Sequence, residues 1–146
     1  MKNILVTGAA GFIGSNFAEF MVNKHPDYNI IVFDKLTYAG NMDNLKKVQD
    51  KITFVKGDIC DLDKVLETFE KYNIDAVVHF AAESHVDNSI KTPFVFTQTN
   101  VLGTHTLLEA AKRVWGEGSK NKLYIYQQMK YMELWEKKDI LQKHLQ

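Results

Sequence analysis

The stretch Asn3-Ile4-Leu5-Val6-Thr7-Gly8-Ala9-Ala10-Gly11-Phe12-Ile13-Gly14 decides the reading of this chain. A short apolar run without alternation enters three glycines at even spacing, and a helical pattern begins at once. A strand with no polar face is what a parallel sheet covered on both sides requires. Gly8 permits a tight turn out of the strand, Gly11 lets backbone approach a pyrophosphate, and Gly14 lets the helix pack closely on the strand. The helix N-terminus then offers free N–H groups and a partial positive charge to phosphates. A glycine motif alone marks only a tight turn. Here Asp34 stands 20 residues beyond Gly14, at the end of the next apolar run. Its carboxylate can accept hydrogen bonds from ribose hydroxyls and would repel a 2′-phosphate, so the combination predicts NAD as cofactor, in preference to NADP.

The same pattern continues along the chain. Asn29–Asp34, Ile52–Lys56 and Asp75–Phe80 read as further buried strands, with helices expected over Phe12–Lys24, Leu62–Tyr72 and Phe94–Val114. His25-Pro26-Asp27 ends the first helix, because the residue before proline is pushed out of the helical region. Asp61 is placed to cap the second. Strict alternation of strand and helix implies right-handed crossovers and a doubly wound α/β parallel sheet, a Rossmann-like arrangement. Asp58, after Gly57 at a strand end, suits either a turn or the adenine end of the cofactor. Phe80, Ala81, Ala82, Glu83 and Ser84 close the fourth strand where a dinucleotide would cross the sheet's carboxyl edge; small residues there equally suit helix packing.

Composition bounds the function. The 146 residues are 45% apolar and 25% charged, and 18 basic side chains balance 18 acidic ones. That is one domain's worth of chain with no electrostatic case for nucleic acid or an anionic membrane. The single Cys60 excludes an internal disulfide and a thiolate metal cage, which fits a reducing, cytoplasmic setting. No signal peptide and no membrane span is expected. His79, His85 and His105 lack the spacing of a zinc helix, so no metal is assigned.

Several stretches carry a resemblance: residues 6–14, Asp34-Lys35-Leu36-Thr37-Tyr38-Ala39-Gly40-Asn41, residues 57–61, His79 to Asp87, and Thr99 to Thr104. On these the first 118 residues resemble the extended short-chain dehydrogenase/reductase family, and within it the dTDP-hexose 4,6-dehydratases. The resemblance implies an NAD site lined by Phe12, Ile13, Asp34, Lys35, Leu36, Thr37, Asp58, Ile59, the Phe80–Ser84 segment and Thr99, with Ser84 also meeting the sugar nucleotide. It implies dTDP-glucose as substrate, NAD regenerated within each turnover, and a homodimer built partly on the helix containing Thr104 to Val114.

Past Gly118 the character of the chain changes. Residues 119–146 contain no Gly, Pro, Ala, Val, Thr or Phe, while Lys and Gln abound. The reading is therefore an NAD-binding domain over 1–118, truncated relative to the family, and a helical tail over 119–146, rich in good helix formers. The family's Ser-Thr-Asp-Glu-Val-Tyr strand end and its Tyr-x-x-x-Lys helix do not occur in this tail, so no residue here is assigned a catalytic role and the chain is expected to be inactive. Tyr126 and Lys130 match Tyr-x-x-x-Lys only by spacing, one element too early. Back-translated and read two bases on, the codons from Tyr126 can spell Ser-Thr-Asp-Glu-Val-Tyr-Gly, the family's own continuation. We read this as a change of reading frame near Lys120-Asn121-Lys122.

Overall fold

A computed structural model describes residues 2–126. Five strands, β1 (Asn3–Thr7), β2 (Asn29–Asp34), β3 (Ile52–Lys56), β4 (Ala76–His79) and β5 (Lys122–Ile125), form one sheet in the order β3-β2-β1-β4-β5. Every pairing is parallel. The helices are α1 (Phe12–Lys24), α2 (Leu62–Lys71), α3 (Val86–Lys91), α4 (Pro93–Phe96) and α5 (Thr104–Trp115), with a 3₁₀ segment at Met42–Lys51 and a π-helical segment at Thr97–Gly103.

The period of two along each strand builds two cores. Leu5, Ile31, Phe33 and Val77 face Val65, Phe69, Leu107 and Ala110 of α2 and α5. Ile4, Val6, Ile30 and Val32 turn the other way, onto Ala18 and Val22 of α1 and Leu45 and Val48 of the 3₁₀ segment. Strands apolar on both faces are thus a consequence of being covered twice. Each fully buried large side chain such as Phe33 or Phe69 contributes about 2–3 kcal/mol of burial free energy.

The predicted strands and first two helices are present, with Phe80 just beyond β4 and Tyr72 the C-cap of α2. Asp61 caps α2 as expected, its carboxylate accepting from the Lys64 N–H at 3.1 Å. The helix expected over Phe94–Val114 is present as one uninterrupted run, in which α4, the π segment and α5 follow one another with right-handed helical backbone at both joins, while α3 and the 3₁₀ segment are additional elements.

The helical expectation for 119–146 fails over Lys122–Ile125, which pairs with Ala76–His79 as β5. Leu123 packs on the core beside α2 and α5, so this strand follows the domain's own logic. The remainder of the tail, with Lys130, lies outside the described residues. Among the described residues no helix is long and apolar enough to cross a membrane.

Candidate functional site

Parallel strands all end at one edge of the sheet, and the loops leaving that edge enclose a cavity of about 360 Å³. Its floor is the glycine turn. Gly8 has φ +69°, and a Cβ there would fall 2.5 Å from the backbone N of Ala81, so a side chain is barred twice over. At Gly14 a Cβ would lie 2.4 Å from the Gly8 carbonyl oxygen, which gives the close helix–strand approach read from the sequence. Gly11 is the N-cap of α1, and no acidic residue occupies the first helical turn. Phe12 and Ile13 carry N–H groups with no carbonyl partner inside the helix, and both residues line the cavity. This end of α1 is chemically suited to a phosphate.

Asp34 closes one side. Its Oδ2 accepts from the Ala10 N–H at 3.0 Å and its Oδ1 from the Leu36 N–H at 2.8 Å. Each oxygen keeps a lone pair for a further donor, as ribose hydroxyls would supply. The Ala10 carbonyl in turn accepts from the Asn41 N–H at 3.0 Å and from the Asn44 side chain at 2.8 Å. The loop after β2 is therefore fastened to the glycine turn at both ends of one residue.

Further along, Lys35 Nζ lies 2.7 Å from Asp58 Oδ2. Burial works against the Asp58 carboxylate, but the Lys35 hydrogen bond and the Cys60 N–H outweigh it and hold its pKa below the usual range. The same hydrogen bond holds the Lys35 ammonium above its ordinary value. Cys60 is pushed up to about 11 by burial and by the neighbouring Asp58 charge, so its thiol stays protonated.

Phe80, Ala81, Ala82, Glu83 and Ser84 form the opposite wall, with Thr99 of the π segment behind them. The structure gathers Gly8, Gly11, Phe12, Ile13, Gly14, Asp34, Lys35, Thr37, Asp58, Ile59 and these wall residues around one cavity. Leu36 is the exception. It takes a left-handed conformation, φ 59°, which leaves its N–H on Asp34 while its side chain packs on the core beneath. Leu36 thus acts through its backbone and does not line the cavity. Phe33, Ala39, Gly40 and Gly57 line it without having been assigned to the site, and so does Tyr126, which the sequence offered only as a spacing match to Tyr-x-x-x-Lys. Tyr126 does so at the end of β5, with its N–H on the His79 carbonyl at 3.0 Å and its ring 5.6 Å from that of Phe80. Only the pairing of β5 with β4 brings it there.

His79 is 2% exposed and belongs to no metal grouping among the described residues. Its Nδ1 lies 2.6 Å from Thr7 Oγ1 and its Nε2 3.0 Å from Thr104 Oγ1. Burial lowers its pKa to about 4, so the ring is neutral at neutral pH.

Comparison with known proteins agrees with this architecture. A curated dTDP-glucose 4,6-dehydratase from Haemophilus influenzae is 52% identical over 117 residues, which cover 79% of this chain and 34% of the relative. That from Mycobacterium tuberculosis strain H37Rv is 53% identical over 110 residues, 75% of this chain and 33% of the relative. The crystal structure of dTDP-glucose 4,6-dehydratase from Bacillus anthracis in complex with NAD superposes with a TM-score of 0.71 at 39% identity, covering 86% of this chain and 36% of that one. The Streptomyces venezuelae enzyme with NAD bound gives 0.70 at 49% identity, covering 76% and 36%. The chain thus spans about a third of the length of the curated relatives it matches. The family model described as GDP-mannose 4,6 dehydratase matches residues 5–128, and the chain belongs to that family.

Proposed function

We propose that this chain is the NAD-binding unit of a dTDP-glucose 4,6-dehydratase. The observation that carries the reading is the conjunction, around one cavity, of an open helix N-terminus at Phe12-Ile13 and the Asp34 carboxylate. Relatives about half identical over this stretch bear that activity. Phe12 and Ile13 would hold the pyrophosphate through their N–H groups, Asp34 the adenosine ribose, and Asp58 and Ile59 the adenine end. Ala81, Ala82 and Thr99 would border the other nucleoside, with Ser84 reaching the sugar nucleotide. Bound there, NAD would supply reversible hydride acceptance, which lets a hexose be oxidised at C4, dehydrated across C5 and C6, and reduced at C6. The setting we infer is the cytoplasm; the family's homodimer is implied to need the Tyr-x-x-x-Lys helix as well as the α5 side, where Val101, Leu102 and Leu108 are exposed, so this chain is not expected to form it. Size measurement by light scattering tests the dimer.

Titration of the purified chain with NAD and NADP in a calorimeter tests the cofactor reading. Binding of NAD in preference to NADP is the expected result, and no heat with either would overturn it. Incubation with dTDP-glucose tests the activity separately: a 4-keto product would show that this chain alone completes the reaction, against the inactivity expected from its sequence.

We infer also that the chain beyond about Tyr126 is read out of frame. The in-register pairing of Lys122–Ile125 with β4 supports a change of frame after β5, later than the Lys120–Lys122 position suggested by the codons. Sequencing the coding DNA from codon 115 onward decides this. An offset frame that spells Ser-Thr-Asp-Glu-Val-Tyr-Gly and continues into Tyr-x-x-x-Lys supports it, whereas a closed or unrelated frame removes it.

A further inference from the structure

Asp34, Lys35 and Asp58 line the same cavity, and the sheet brings them together. Asp34 stands in register with Lys56, and the Gly57 N–H donates to the Asp34 carbonyl at 3.1 Å. Asp58 therefore arrives beside the residue that follows Asp34. A basic side chain near this point of a dinucleotide site is what accommodates the 2′-phosphate of NADP. The chain thus carries a feature suited to NADP one residue after the carboxylate that disfavours it.

The geometry explains why the two do not conflict. Lys35 Nζ lies 2.7 Å from Asp58 Oδ2, a charge-assisted hydrogen bond. Asp58 is the anchored partner: its Oδ1 accepts from the Cys60 N–H at 2.9 Å, and its carbonyl accepts from the Asp61 N–H at 3.0 Å. Lys35 is the loose one, with 60% of its side chain exposed against 33% for Asp58. An exposed ion pair is worth little in itself. What makes this one matter is the charge left behind. A phosphate that drew Lys35 away would leave the half-buried Asp58 carboxylate without its cation and close to a second anion.

We propose that the Lys35–Asp58 pair is a second element of cofactor discrimination, in which Asp58 occupies the Lys35 ammonium and so denies it to a 2′-phosphate, an effect that rests on the NAD reading above. Rejection of NADP then needs Asp58 as well as Asp34.

Calorimetric titration of the full 146-residue chain with NAD and with NADP gives the ratio of the two affinities, from which effects common to both cofactors cancel. Asp58→Asn keeps an acceptor for the Cys60 N–H and removes the charge. Alone it should change the ratio little, because Asp34 still repels the phosphate. In Asp34→Ala with Asp58→Asn the ratio should move toward NADP about tenfold further than in Asp34→Ala, as one charge-assisted contact implies. Adding Lys35→Gln should abolish that extra shift. Effects of the two aspartate substitutions that simply multiply overturn the proposal. So does an extra shift that survives Lys35→Gln, since loss of negative charge alone then accounts for it. A parent that binds neither dinucleotide removes the cofactor reading and the proposal with it, whereas a parent that binds NAD and gives simple multiplication removes the proposal alone. Should the doubly substituted chain not fold, Asp34→Ser replaces Asp34→Ala, its hydroxyl still able to accept from the backbone N–H two residues on.

Discussion

The Tyr38 hydroxyl donates to Glu83 Oε2 at 2.7 Å, tying the loop after β2 to the loop after β4. The residues flanking this bond, Thr37 and Ala39 on one side and Ala82 and Ser84 on the other, all line the cavity. Burial and the Glu83 carboxylate raise the Tyr38 pKa, which keeps the phenol a donor at neutral pH. Tyr38→Phe removes the tie and leaves the ring. We expect NAD to leave the variant roughly threefold faster, the worth of one partly exposed hydrogen bond. Stopped-flow displacement measures it, and an unaltered rate would mean that the tie does not govern exit.

His79 gives the chain a built-in sensitivity to acid. Its folded pKa of about 4 lies below the unfolded value of 6.5, so at mildly acidic pH the unfolded chain binds the extra proton. The stability it contributes is complete above the unfolded value and is lost as pH falls toward the folded one. Between about pH 7 and about pH 5 this single group should cost about 2 kcal/mol. Urea unfolding at the two pH values should show a smaller acid loss in His79→Gln than in the parent, by about that amount. Equal losses would place the sensitivity elsewhere.

Asp34→Ala should weaken NAD by about tenfold or more, because a charged acceptor for ribose hydroxyls is removed. NADP binding should suffer much less, since the same change also removes repulsion of its 2′-phosphate. Parallel titrations check the ratio, and an equal loss for both cofactors would remove Asp34 as the discriminating group. The variant also frees the N–H groups of Ala10 and Leu36, so its melting temperature must be recorded alongside.

Gly8→Ala should be the most damaging single methyl in the molecule. It combines a φ of +69° with a Cβ 2.5 Å from backbone at Ala81. Neither strain can relax by moving a side chain, so a loss of about 3 kcal/mol or more is expected. Chemical denaturation measures it. Gly116→Ala, with a similar φ of +72° but open space around it, is the control that isolates the backbone part.

The features legible in the sequence are those written in adjacent residues. The apolar strands announce themselves because both faces are covered, and the Gly8–Gly14 turn because each glycine answers a local steric demand. Asp34 could be placed by its distance from that turn. The segments that were misread depend on partners far along the chain. Lys122–Ile125 stands in a stretch whose overall Lys and Gln content reads as helix, and forms a strand because the edge of β4 is there to pair with it. The π segment arises where Asn100 reaches Glu83 and where Gly103 sits so close to Ile59 that a Cβ would fall 2.4 Å from its Cδ1. The left-handed backbone of Leu36, with its N–H on Asp34, is a local exception that a leucine does not announce.

The packing at the end of α5 supplies a natural spectroscopic reporter. Trp115 Nε1 donates to the Ile74 carbonyl at 2.7 Å, and its indole centroid lies 5.6 Å from the Phe69 ring. That indole is held between α2, α5 and the entry to β4, on the core away from the glycine turn. In a Trp135→Phe background its emission isolates the docking of α5 on the sheet. A titration with nucleotide that leaves this fluorescence still, while a denaturant shifts it to the red, would then tell ligand uptake apart from the loss of the scaffold in a single cuvette.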